Sequence, residues 1–263
     1  MAAEEPLFSI KNISKNFPGT SGDEPFAALS GVSFDIFEGQ CLMIAGSNGS
    51  GKTLLTRIIA GLLPPSGGEL AFRGQSLSDS GQPGAVRRRG LGLVFQDAEA
   101  QIIGETVEED AAFGPENLGF SAADAGAMAA QALAAMGLAE KLHYSPRRLS
   151  GGEKRRLAIA GVLAMGCTTL ILDEPFANLD WPGVMQTLGI IRDLKNQGKT
   201  LIILTHEMEK ALALADRLII LHRGRICADA PPAEVLDGLD PAWGVRDPRR
   251  NYATVEDCSW LPD

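Results

Sequence analysis

Gly46-Ser-Asn-Gly-Ser-Gly51-Lys52-Thr53 fits the spacing G-x-x-x-x-G-K-[ST] of a phosphate-binding loop. The run before it, Cys41-Leu-Met-Ile-Ala45, is continuously apolar and suits a buried parallel strand. A helix is expected to open near Gly51 and run through Thr53-Leu-Leu-Thr-Arg-Ile-Ile-Ala60, stopped by Gly61 and Pro64-Pro65. Strand, loop and helix in that order are the context the motif needs. Glycines let backbone N–H groups close around phosphate oxygens, and the helix N-terminus adds its dipole. Gly46, Ser47, Asn48, Gly49, Ser50 and Gly51 are therefore candidates for nucleotide binding. Lys52 is expected to reach the β- and γ-phosphates and Thr53 to bind Mg²⁺. An ordinary glycine-rich turn would need neither the lysine nor the threonine.

Working outward, Thr169-Leu-Ile-Leu172, Thr200-Leu-Ile-Ile-Leu204 and Arg217-Leu-Ile-Ile-Leu221 read as further buried strands. Helical stretches are expected over 183–197 and 207–215. Strands alternating with helices point to an α/β core around a parallel sheet. Towards the N-terminus, Phe8-Ser-Ile-Lys-Asn-Ile13 and Val32-Ser-Phe-Asp-Ile-Phe37 alternate apolar and polar residues as half-buried strands do. The middle, about 105–164, is rich in Ala, Glu, Leu and Met and reads as helical. Ser121-Ala-Ala-Asp124 is a capping-box variant opening a helix towards Met136. One short helix follows Pro231-Pro232.

Leu170-Ile-Leu-Asp173-Glu174 is an apolar strand ending in two carboxylates. Asp173 is placed to hold Mg²⁺, and Glu174 to orient or deprotonate an attacking water. Alone, the pair reads equally well as a charged strand end before Pro175. Beside a phosphate-binding loop the functional reading is favoured.

Composition limits the alternatives. The 263 residues carry a net charge of −9, which argues against a general nucleic-acid coat. The longest run without a charge, from Leu157 to Leu172, is sixteen residues and glycine-interrupted, short of a membrane span of about 20. Glu4 and Glu5 stand where a signal peptide would be positive, so a cytoplasmic location is expected. Cys41, Cys167, Cys227 and Cys258 form no CxxC pair and read as isolated structural thiols.

Leu149-Ser-Gly-Gly-Glu-Lys154 is a second phosphate-binding element. Ser150 can cap a helix and leave the N–H groups of Gly151 and Gly152 open to an anion. Here the sequence resembles the ATP-binding-cassette family, whose signature is LSGGQ, over roughly residues 7–230. The resemblance implies an α/β fold in which a P-loop core with a parallel sheet carries an N-terminal antiparallel β-subdomain. A helical subdomain would be inserted at about 98–165. The cassette would occupy 1–232, leaving 233–263 as an unassigned tail. It also implies ATP hydrolysis with Mg²⁺, held by Thr53, Asp173 and Gln96. Gln96 looks like the Q-loop glutamine, Asn178-Leu-Asp180 like the D-loop, and His206 like the γ-phosphate sensor. Phe17 sits where the family stacks an aromatic on adenine, although packing against the first sheet would also explain it.

Each motif occurs once. In the family the P-loop and the signature meet the same nucleotide from opposite subunits, so a second cassette is implied, identical or related. Ser150, Gly151 and Gly152 would then act in trans. Glu153-Lys154-Arg155-Arg156 resembles the LSGGEKRR form of energy-coupling-factor importers, and the blocks Gln96 to Ile103, Thr106 to Asp110 and Ala112 to Gly119 also resemble that subfamily. That resemblance implies a transmembrane coupling subunit, a separate membrane substrate binder for a metal ion or vitamin, and a peripheral site on the cytoplasmic face. Glu105, Glu108, Glu109 and Asp110 could dock arginines of the coupling subunit; a solvated helix start is the alternative. Other transporter ATPases (amino-acid, lipid or exporter) and soluble cassettes are the competing classes. A coiled-coil insertion, a second cassette and an N-K-x-D guanine motif are all missing, which weakens the soluble class and GTPases.

Overall fold

A computed structural model describes residues 5–18, 26–77 and 90–249. Glu4, Cys258 and the tail from 250 onward lie outside the described residues. Two sheets organise the chain. A four-stranded antiparallel sheet has the order β2-β1-β4-β5, formed by β1 (Phe8–Phe17), β2 (Phe26–Ile36), β4 (Gly67–Phe72) and β5 (Gln75–Ser76). A six-stranded sheet has the order β10-β9-β3-β8-β7-β6. It comprises β3 (Cys41–Ala45), β6 (Leu91–Val94), β7 (Thr169–Asp173), β8 (Thr200–Thr205), β9 (Arg217–His222) and β10 (Arg225–Ala230). All its pairings are parallel except β9 with β10.

The apolar strands are buried on both faces, and successive side chains serve different cores. Leu42, Ile44, Ile171, Ile202, Leu204, Ile219 and Leu221 pack into a cluster with Phe8, Ile10 and Ile36 of the first sheet and Leu55, Ile58 and Ile59 of α1 (Lys52–Ile59). Cys41, Met43, Leu170, Leu172, Leu201, Ile203, Leu218 and Ile220 belong to the opposite cluster. That second cluster continues without a break into α2 (Val107–Asn117), α3 (Ala122–Ala135) and α4 (Gly151–Ala164). The chain is therefore an α/β protein with an antiparallel sheet on one side of the central sheet and a helical group on the other.

Four elements depart from the sequence reading, of which β2 begins at Phe26 rather than at Val32. β1 runs to Phe17 rather than ending at Ile13, because register shifts between Ile10 and Asn16 break the period-2 alternation while pairing continues. The helix expected over 207–215 is one turn, α6 (Met208–Ala211), followed by a 3₁₀ turn over Leu212–Leu214. The chain leaves the helix there to seat Asp216, whose N–H donates to Cys41 O at 2.8 Å and whose carboxylate accepts from Cys41 N at 2.8 Å and Lys195 Nζ at 2.6 Å. Ser121 does cap α3 by accepting from Asp124 N, but its hydroxyl also donates to Asp124 Oδ2 at 2.7 Å. The closed capping boxes are at Thr106–Glu109 and Ser150–Glu153. The remaining helices are α5 (Trp181–Asn196) and α7 (Pro232–Asp237). No helix among the described residues is long and apolar enough to cross a membrane.

Candidate functional site

β3 ends at Ala45, and residues 46–51 turn tightly into α1. A Cβ at Gly46 would lie 2.2 Å from Leu221 O, and one at Gly51 (φ +106) 2.8 Å from Leu29 Cδ2. Only glycine fits either place. Gly51 caps α1 with no side-chain bond, which leaves the first-turn N–H groups open to an anion. The loop is anchored from behind, since Gly224 N donates to Ser50 O at 2.9 Å. Lys52 Nζ donates to Gly46 O at 2.7 Å and Ser47 O at 3.2 Å and lies 3.9 Å from Glu174 Oε1. Burial lowers its pKa, with Glu174 and Asp173 opposing the shift.

β7 and β8 lie side by side and bring Asp173, Glu174 and His206 together at their C-terminal ends. Asp173 is 3% exposed and accepts from Thr53 Oγ1 at 3.3 Å. Burial raises its pKa, against the Thr53 hydrogen bond and Lys52. Glu174 has φ 47, a left-handed conformation uncommon away from glycine. Its N–H donates to Leu204 O at 2.9 Å, and this turns the side chain across β8. Glu174 Oε1 lies 2.9 Å from His206 Nδ1, and Oε2 accepts from His206 N at 3.4 Å.

The oxygen pair Thr53–Asp173 suits a hard divalent cation, which takes one or two protein oxygens plus phosphate oxygens. No cluster of three His, Cys, Asp or Glu side chains that could hold a metal occurs among the described residues. A cavity of about 680 Å³ opens beside Thr53 and Asp173, lined also by Gln96, Gly151, Asn178 and Leu179. Gln96 is exposed there, and its carbonyl accepts from Arg155 Nη2 at 2.9 Å.

The signature loop is closed by hydrogen bonds at its base. Ser150 accepts from Glu153 N while Glu153 accepts from Ser150 N at 2.9 Å and from Lys141 Nζ at 2.5 Å. The Lys141 bond, then the Ser150 N–H, hold the Glu153 carboxyl below its usual range. A Cβ at Gly151 would meet nothing within 4 Å, so this helix N-terminus faces open space. Asp180 caps α5 by accepting from Gly183 N at 2.9 Å, and Asn178 has φ 59.

Phe17 is 40% exposed, with Lys15 Nζ 5.6 Å above its ring, and lies outside both buried clusters. The four acids singled out after Gln96 do different things. Glu105 lines a second cavity of about 530 Å³ with Ile103, Arg147 and Lys154. Glu108 lies 3.5 Å from His143 Nδ1. Glu109 closes the Thr106 capping box, and Asp110 accepts from Ile103 N at 2.7 Å and Gly104 N at 2.9 Å. Sequence reasoning passed over Arg155 as an individual residue. Its signal was a charge on the periodic buried face of α4 shared by Ala158, Ile159 and Val162. It also passed over Gly244, which lies against Ser47: a Cβ there would be 3.3 Å from Ser47 Cβ.

A family model described as ABC transporter matches residues 29–177. An energy-coupling factor transporter ATP-binding protein of Symbiobacterium thermophilum is 42% identical over 220 residues, covering 83% of this chain and 76% of the relative. The cbiO1 structure of Clostridium perfringens, described as part of the ABC transporter complex cbiONQ, has a TM-score of 0.79 at 30% identity. It covers 89% of this chain and 92% of that one. A cassette solved as a dimer in a post-hydrolysis state, bound to ADP and Pi, has a TM-score of 0.76 at 27% identity, covering 86% of this chain and 99% of that one.

Proposed function

The chain belongs to the ABC transporter family of ATPases, and from that premise we propose that it powers an energy-coupling-factor importer of a micronutrient, a transition metal ion or a vitamin. The observation that carries the hydrolytic part is the Glu174 carboxylate, held by His206 at 2.9 Å and facing Lys52 at 3.9 Å beside the Thr53–Asp173 pair. The loop from Gly46 to Gly51 cradles the ATP phosphates, Lys52 leaves its carbonyl partners for the β- and γ-phosphates, and Phe17 offers its exposed ring to adenine. Glu174 aligns the attacking water or takes its proton. His206 fixes the carboxylate and reads the γ-phosphate. Thr53 and Asp173, with Gln96 at the cavity, would hold Mg²⁺, which when bound would neutralise phosphate charge.

A second cassette supplies Ser150, Gly151 and Gly152 to the nucleotide, and the loops at Asn178 and Asp180 face it. ATP favours the closed pair, and hydrolysis reopens it. The cassette sits on the cytoplasmic face, bound to a transmembrane coupling subunit and, through that, to a separate membrane substrate binder. The energy-coupling-factor assignment is supported by the relatives described above and by the LSGGEKRR form.

Glu174→Gln removes the carboxylate charge while keeping its shape. ATP affinity is expected to hold, turnover to fall by about 10²–10⁴-fold, and the chain to elute as an ATP-dependent dimer in size-exclusion chromatography. Full turnover in this variant would remove Glu174 from the catalytic role. Co-purification of a small integral-membrane binder supports the importer class; dependence of transport on a soluble binding protein overturns it.

A further inference from the structure

Arg155 is a buried cation with no carboxylate partner in hydrogen-bond contact among the described residues: it is 4% exposed and projects from the second turn of α4. Its guanidinium reaches three carbonyls on two separate segments, the Gln96 loop and the turn from Glu174 to Ala177. Nη1 donates to Glu174 O at 3.2 Å, while Nη2 donates to Gln96 O at 2.9 Å and Ala177 O at 3.3 Å. Nε is buried and has no hydrogen-bond partner among the described residues. Burial lowers the pKa of the guanidinium, and the nearby charges of Asp97, Asp173 and Glu174 oppose this. A helix–core contact needing only stability would be served by an apolar side chain at lower desolvation cost. The rigid donor fork of arginine is what can hold several carbonyls in one geometry.

We propose that Arg155 is a positioning residue for hydrolysis: it locks the helix that presents Ser150–Gly152 to the carbonyls of Gln96, Glu174 and Ala177. The signature helix, the Gln96 loop and the backbone of the catalytic carboxylate then move as one unit. Displacement of α4 by the second cassette is thereby transmitted to the same chain's water-positioning group.

This inference rests on Glu174 being the catalytic carboxylate, so Glu174→Gln and the unaltered chain run alongside as controls. If Glu174→Gln turns over normally, that reading fails; if only the Arg155 variants behave unexpectedly, this one does. In the full-length chain, Arg155→Gln is expected to lower kcat for ATP at least tenfold while KM and equilibrium ATP binding stay within twofold. Arg155→Lys, which keeps charge without the fork, is expected to recover part of that loss. Circular dichroism and thermal melts confirm that each variant is folded at the assay temperature. Should Arg155→Gln not fold, Arg155→Lys carries the test alone, with a lower kcat at unchanged KM. An unchanged kcat in a folded variant, or a kcat loss matched by loss of ATP binding, overturns the proposal.

Discussion

Asp173 accepts a hydrogen bond from Thr53 Oγ1 at 3.3 Å and is otherwise enclosed, with 3% exposure. Burial raises its pKa above the ordinary carboxylate value. The folded chain therefore binds this proton more tightly than the unfolded chain, and stability falls as pH rises from about 4 through the raised value. At neutral pH the ionised form is destabilising. Asp173→Asn mimics the protonated form. Its melting temperature is expected to exceed that of the unaltered chain near neutral pH, with the gap narrowing towards about pH 4, while ATP hydrolysis is lost. Melts across that pH range check it, and an Asn variant no more stable at neutral pH sinks it. The residue types at 173 and 174 and the lysine of the loop were legible in the sequence. The left-handed φ of 47 at Glu174 was not, because it follows from the bond of its N–H to Leu204 O across the sheet.

α4 lies directly on β6, and a glycine permits it. A Cβ at Gly92 would come 2.0 Å from Val162 Cγ1 and 3.2 Å from Cys167 Sγ. Val162 is β-branched and stiff in a helix, so Gly92→Ala must displace the helix rather than a flexible side-chain end. The expected cost is about 1–3 kcal/mol, read as a lowered denaturant midpoint. Val162→Ala in the same chain is expected to return part of it, since the two sites are in contact; strict additivity would contradict this contact as the cause. Helix starts were the most legible elements, as Ser150 and Ser121 signal their own caps within three residues. The single turn at Met208–Ala211 was read as a longer helix because its Leu/Ala-rich continuation favours one. The anchoring of Asp216 to Cys41, 175 residues away, decides otherwise.

For the whole molecule, the acids after Gln96 divide between structure and surface. Glu109 and Asp110 are engaged by backbone N–H groups, whereas Glu105 opens onto a cavity with Arg147 and Lys154, and the Glu108 carboxylate pairs with the exposed His143. Combined Glu105→Lys and Glu108→Lys substitutions are expected to abolish co-purification with the membrane subunit while ATP affinity survives. A complex that forms normally removes these acids from docking. The sequence by itself determined the phosphate-binding loop, the carboxylate pair, the signature and the α/β alternation. Each is carried by residues a few positions apart, where spacing alone sets geometry. Only the tertiary structure decided that Glu174 meets both His206 and Lys52, and that one guanidinium on α4 ties together two loops through carbonyls 59, 19 and 22 residues away in the chain. Those contacts depend on strand order and helix packing in the assembled core, and no local pattern of residues encodes them.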